Sequence, residues 1–241
     1  MDTYHRVIGT LIPDVDFHQN HFARALDRIV KGGDWLDLGA GTKIHDGYKV
    51  APQEELARRV RSLVGIDPHA EHLKDNPYLT RAVSGSGEQL PFDAASFDIV
   101  SANMVLEHLE HPAAVFREVA RVLRPGGAFC FVTPNVEHPF IAVSHLFLSR
   151  SAKSELAVAV EGRPAEHVFP TFYRANRRST LRAQMRDVGL EEESLVVHRN
   201  IPFLRHPTPA LIAESLFIKL CAIPPFSRFG ADIVGVFRRR G

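Results

Sequence analysis

Cysteine is scarce: the 241 residues include two, Cys130 and Cys221, each inside an apolar run. Such a pair cannot form a disulfide framework, so both read as buried thiols. A reducing compartment is therefore expected, with the cytoplasm as the location. Net charge is almost absent at +1, so the chain has no global field of the kind nucleic-acid binders use, and no nucleic-acid partner is expected. No uninterrupted apolar run approaches the roughly 20 residues of a membrane-spanning helix. The opening residues Met1–Arg6 are not followed by the apolar core of a signal peptide. The 13 histidines are scattered, with none at metal-site spacing backed by cysteine, so no metal is expected.

What is present is an ordinary globular composition, 45% hydrophobic and 24% charged. The length suits one domain with a sizeable core, or one domain with an embellishment. Residues 1–17 are mixed and read as a loop or short arm. From His18 to Val30 apolar residues fall at helical spacing, ended by Gly32-Gly33. A strand is predicted at Asp34–Leu38, then a long turn from Gly39 to Ala51. A helix starts at Pro52. Further strands are predicted at Leu63–Asp67, Thr80–Ser84, Phe97–Ser101 and Ala128–Thr133. Helices are predicted over Asn103–Leu109 and Pro112–Leu123. Apolar strands without alternation, separated by helices, predict a parallel sheet covered on both faces.

Two features in this pattern carry chemistry. Asp37-Leu38-Gly39-Ala40-Gly41 takes the first strand straight into a glycine turn. Glycine lets the backbone turn sharply and approach a ligand closely. Ligands of open α/β sheets bind at this end of the strands. Alone, the motif is weak, since a plain tight turn has it too. The second feature is Asp67, an acid at the tip of strand two. It can accept both hydroxyls of a ribose, or it can cap the segment that starts at His69.

Several ordered pieces together resemble class I S-adenosylmethionine-dependent methyltransferases, most closely the ubiquinone- and menaquinone-methyltransferase branch. They are Leu36–Gly41, Gly65-Ile66-Asp67, Glu88–Phe92, Phe97–Val100, Leu106–Leu109 and Val122–Gly127. The resemblance implies an α/β, doubly wound, Rossmann-like sheet. It has seven strands, mostly parallel, with an antiparallel C-terminal strand and a helical insertion after strand five. A single domain over 1–241 is expected, with a cofactor core at 18–135, an insertion or lid at 136–177 and a sheet-closing part at 178–241. The implied cofactor is S-adenosyl-L-methionine. Asp37, Gly39, Ala40 and Gly41 would border its methionyl part, with Asp37 holding the turn. Asp67 and Pro68 would meet the ribose. Ser86, Glu88, Gln89 and Leu90 would border the adenine, and Asn103 would lie beside the methionine amine. Two positions depart from the pattern. Lys43 stands where a third glycine is usual, and Ser86 stands where an acid is usual.

The resemblance implies methyl transfer to a small-molecule or saccharide acceptor, with oxygen expected ahead of nitrogen or carbon. The protein's task in such a transfer is mainly positioning, and a base is needed only where the acceptor's proton must leave early. His108 is the candidate base, and helix packing is its alternative role. The insertion offers His138, His167, Tyr173 and Arg174 as candidate acceptor contacts. An apolar helix over Thr208–Ile223 is expected to pack on the sheet or to form a homodimer face. With Arg238-Arg239-Arg240 it could instead touch a membrane surface. Two other readings remain open. A nicotinamide dehydrogenase is disfavoured because Lys43-Ile44 spoils G-x-G-x-x-G. A non-catalytic scaffold is disfavoured by the intact Gly39, Gly41 and Asp67.

Overall fold

A computed structural model describes residues 3–47, 50, 52–147, 169–203 and 209–241. Its strands are β1 (Asp34–Leu38), β2 (Ser62–Asp67), β3 (Arg81–Ser84), β4 (Phe97–Asn103), β5 (Leu123–Pro134), β6 (Leu190–His198) and β7 (Asp232–Arg239). They form one sheet in the order β3-β2-β1-β4-β5-β7-β6. β7 runs antiparallel to both neighbours, while β1 to β5 are mutually parallel. The expected seven-stranded, mostly parallel α/β sheet is therefore present.

The helices are α1 (Thr3–Leu11), α2 (His18–Ile29), α3 (Gln53–Arg58), α4 (Ala70–Leu73), α5 (Pro112–Val122), α6 (Pro139–Phe147), α7 (Arg178–Asp187) and α8 (Pro209–Leu220). The sheet is buried on both faces, which accounts for its unbroken apolar runs. One face packs Leu36, Val100, Phe129, Phe131 and Phe237 against Phe116 and Val119 of α5. The other packs Trp35, Ile99, Cys130 and Val132 against Phe22, Leu26 and Ile29 of α2. The two edge strands, β3 and β6, are the more exposed ones, as their polar residues require.

Three expectations need correcting. Residues 1–17 are not a loop: α1 occupies Thr3–Leu11, and its main packing partner is α8. Asn103–Leu109 is not a helix. β4 runs through Asn103, and a single 3-10 turn covers Leu106–His108. The basic tail does not join an apolar membrane-facing surface. Arg238 pairs with Glu193, Arg240 with Glu191, and Arg239 donates to backbone oxygens of Arg121 and Leu123. Arg238 also lies opposite Ala128, at the end of the sheet away from the ligand crevice. α8 lies mainly on α1 rather than on the sheet, with Ile212, Leu216 and Leu220 exposed on its outer face. Among the described residues no helix is long and apolar enough to cross a membrane.

The strand registers place the site. Leu38 lies beside Ile66 and Ala102, Asn103 beside Val132, and Pro134 beside Asp232. The ends of β2, β1, β4 and β5 and the start of β7 thus form one rim. Neighbouring strands are about 4.8 Å apart.

Candidate functional site

At the centre of the rim, β1 ends in the glycine turn. Gly39 has φ +63°, and its N–H donates to the Ile66 carbonyl at 2.8 Å; Ala40 N–H reaches the same oxygen at 3.3 Å. From the other side, the Asn76 side-chain amide donates to the carbonyls of Ala40 (3.1 Å) and Gly41 (3.3 Å). The turn is therefore held by β2 and Asn76. A Cβ on Gly39 would lie 2.5 Å from Val105 Cγ2, whereas one on Gly41 would meet nothing closer than the Gly39 oxygen at 3.9 Å. Gly39 is a packing requirement, and Gly41 faces open space.

Asp37 is buried beneath this turn, 1% exposed, and accepts a short hydrogen bond from Ser101 Oγ. That hydroxyl in turn accepts from Trp35 Nε1 at 2.7 Å. Burial raises the Asp37 carboxyl to about 7; the Ser101 bond opposes the shift and the nearby Asp67 charge adds to it. The folded protein therefore holds this proton more tightly than the unfolded chain does. That stabilisation is complete below about pH 4 and is lost as pH rises through about 7. We expect wild type to lose about 4 kcal/mol relative to Asp37→Asn between those limits. Urea unfolding of both proteins from pH 4.5 to 8 measures this, and parallel stability profiles would refute it.

Asp67, at the tip of β2, is 8% exposed. Its Oδ1 accepts the His69 N–H at 2.8 Å, so the capping role anticipated for it is present. Among the described residues no hydrogen bond reaches Oδ2. Pro68 beside it is exposed. Across the crevice, Ser86, Glu88 and Gln89 are exposed and Leu90 is buried. The backbone there is already engaged: Ser86 Oγ accepts the Glu88 N–H, Gln89 N–H goes to the Ser86 carbonyl, and Leu90 N–H goes to Glu118 at 2.8 Å.

Asn103 does more than end a strand. Its amide nitrogen donates to Gln19 Oε1 (2.9 Å) and to the Ile44 carbonyl (3.0 Å), while its oxygen accepts from Gln19 Nε2 at 2.8 Å. Gln53 Oε1 accepts the N–H groups of Ile44 and His45. The long turn after Gly41 is thus pinned by three side-chain amides and the buried Ile44. This arrangement compensates for the absent third glycine at Lys43.

A strap from the insertion crosses the mouth. Phe169 has ring centroids 4.9 Å from His69, 6.1 Å from His72 and 6.0 Å from His108. The strap is tied down where Phe172 and Tyr173 N–H groups donate to the Glu107 carbonyl. His108 Nδ1 lies 2.8 Å from the Pro170 carbonyl, so that nitrogen carries the proton, while Nε2 stands 3.9 Å from Glu107 Oε1. Arg174 is exposed; it donates to the Glu110 carbonyl and lies over the Phe172 ring. Tyr173 takes a left-handed φ of +53°. His138 is buried between the rings of Phe203 and Phe217. His167 lies outside the described residues. Among those residues no group of three or more His, Cys, Asp or Glu could hold a metal ion.

The fold and crevice can now be set beside known proteins. A family model described as a methyltransferase domain matches residues 36–131, from β1 through β5. The chain belongs to the class I S-adenosylmethionine-dependent methyltransferase family. A Mycolicibacterium smegmatis protein named "Probable S-adenosylmethionine-dependent methyltransferase" is 36% identical over 118 residues, covering 49% of this chain and 44% of that one. The demethylmenaquinone methyltransferase of Mycobacterium marinum is 31% identical over 157 residues, 64% of each chain. The structure of an S-adenosylmethionine-dependent methyltransferase from Mesorhizobium loti superposes with a TM-score of 0.56 at 18% identity, covering 90% of this chain and 95% of that one. The chain spans about half the length, or somewhat less, of the first curated relatives it matches. The family's cofactor is S-adenosylmethionine. The open side of Gly41 and the unengaged Asp67 Oδ2 fit its methionyl and ribose ends.

Gln19, Gln53, Asn76, Glu118 and Phe169 were missed in the sequence reading. The one signal available was a polar side chain within an apolar helical stripe, as at Gln19, which is 4% exposed on the buried face of α2.

Proposed function

We propose that this protein transfers the methyl group of S-adenosylmethionine to a small-molecule or saccharide acceptor. One observation carries the reading: the glycine turn and an acid with an uncommitted oxygen end adjacent strands in this strand order. In this assignment, Gly39, Ala40 and Gly41 pass beneath the methionyl part and Asp67 receives the ribose hydroxyls. Asp37, two residues before the turn, sets its base without touching the ligand. Pro68, Ser86, Glu88 and Gln89 border the adenine through side chains and exposed surface, since the Gln89 and Leu90 amides are already bonded. Asn103 braces the wall beside the methionine amine.

When bound, the cofactor supplies a methyl group already activated by a positively charged sulfur. The protein's contribution is alignment and exclusion of water. The Phe169 strap closes the mouth on the β2 side. His108 holds that strap through Nδ1, so we assign it a positioning role; serving as a base would require its Nε2 to turn away from Glu107. Tyr173 and Arg174 belong to the same strap, while His138 lines the far side, toward β7.

Calorimetric titration of the purified protein with S-adenosylmethionine and with S-adenosylhomocysteine tests the proposal. Binding in the micromolar range is expected, and a flat titration for both ligands would end it.

A further inference from the structure

The rim continues past the cofactor half, and there the packing leaves polar atoms that the fold does not use. Asp232 begins β7 and is 4% exposed, yet no hydrogen-bond partner reaches its Oδ2. Asn176 is 1% exposed. It donates Nδ2 to Thr133 Oγ1 at 2.6 Å and to the Pro134 carbonyl at 3.1 Å, which fixes its orientation and leaves Oδ1 without a partner. His138 is 4% exposed, and its Nδ1 has no partner either. All three residues border the end of β5. Asp232 lies opposite Pro134 in register, Asn176 bonds Thr133 and Pro134, and His138 N–H donates to the Asn135 carbonyl. Buried polar atoms are nearly always paired, so a cluster of orphans marks a place where a partner belongs.

The chemistry of the orphans defines that partner. Carboxylate and amide oxygens accept, so the partner must donate. The setting is also electronegative. The buried Glu107 carboxyl, which accepts from Thr133 Oγ1 at 3.0 Å, faces Asp232, and among the described residues Asp232 has no ion pair with a Lys, Arg or His. Burial and then Glu107 push the Asp232 carboxyl up to about 8, with Asn200 opposing. The histidines alongside stay neutral and do not repel a cation. Burial lowers His138 to about 4, and burial, helped by His21 and two arginines, lowers His198 to about 3. Phe203 and Phe217 supply aromatic walls around His138, with centroids 5.7 and 5.6 Å away. Acidic oxygens beside aromatic rings suit an ammonium group.

We propose that the methyl acceptor is an amine, whose N–H groups are received by Asp232 and the Asn176 carbonyl at the end of β5. This rests on the methyltransferase reading and sharpens it, replacing the oxygen acceptor expected from sequence with nitrogen. Asp232 lies two strands from the end of β4, about 10 Å at ordinary strand spacing. A small molecule bridges that distance from the cofactor side of the rim.

The test uses methyl-tritiated S-adenosylmethionine and a microbial metabolite extract split by cation exchange at pH 5. Wild type is expected to label the retained, cationic fraction, and benzylamine to compete with that labelling more strongly than benzyl alcohol at equal concentration. Asp232→Asn is expected to lower the labelling at least tenfold while its affinity for S-adenosylhomocysteine stays within twofold of wild type. Label confined to the unretained fraction, no label at all, undiminished labelling by Asp232→Asn, or equal competition by the alcohol would each overturn the amine proposal. Should Asp232→Asn lose S-adenosylhomocysteine as well, the competition in wild type decides alone. Failure of wild type to bind S-adenosylhomocysteine would instead overturn the methyltransferase reading.

Discussion

An Asp67→Asn variant will bind S-adenosylmethionine about tenfold to a hundredfold more weakly than wild type, with little change in melting temperature. The substitution separates two jobs of one side chain. Asparagine keeps an oxygen for the His69 N–H, which Asp67 Oδ1 accepts at 2.8 Å, so the start of α4 keeps its cap. What disappears is the negative charge and the second accepting oxygen. Hydrogen bonds to a charged acceptor contribute about 1.5–3 kcal/mol each, and 1.4 kcal/mol is a factor of ten. Calorimetry against S-adenosylhomocysteine reads the affinity, and a thermal melt of the free protein reads the cap. Unchanged affinity would remove Asp67 from the ribose site. A large fall in melting temperature without ligand would mean that its main work is capping.

Gly39→Ala should damage both the fold and the cofactor site. Gly39 holds φ +63°, which costs roughly 1–2 kcal/mol for a residue with a Cβ. The new methyl group would also lie 2.5 Å from Val105 Cγ2, a stiff β-branched side chain that must move or push the turn away. Together these predict about 2–4 kcal/mol of destabilisation, or a melting temperature lower by roughly 5–15 °C. The turn amides that donate to Ile66 would shift with it, so affinity for S-adenosylhomocysteine should fall at least tenfold. Gly41→Ala is the control. Its φ of +44° is strained too, but its Cβ meets no protein atom closer than 3.9 Å. Equal melting temperatures for Gly39→Ala and wild type would show that the turn is not rigidly packed.

The cofactor half of the molecule was legible because its signals are local. The runs at Asp34–Leu38 and Phe97–Asn103 are apolar without alternation, since parallel strands are covered on both sides. The glycine turn announces itself because no other residue takes its backbone angles cheaply. Departures from expectation also have local causes. α1 was read as a loop because its few apolar residues gain nothing until α8 is present to receive them. The stretch after Asn103 looked helical, but its backbone instead extends the strand, with Met104 N–H donating to the Val132 carbonyl at 2.9 Å before one 3-10 turn.

By itself, then, the sequence determined the sheet, the glycine turn and the acid at the tip of β2, because each is written in residues close together along the chain. Tertiary structure alone decided the acceptor side. Asp232, Asn176, His138 and Glu107 come from four separate segments, and each taken singly reads as an ordinary polar residue beside a strand or turn. Their meaning lies in being buried together around the end of β5 with atoms left unpaired. Burial and pairing are properties of the packed chain, and no spacing in the sequence encodes them.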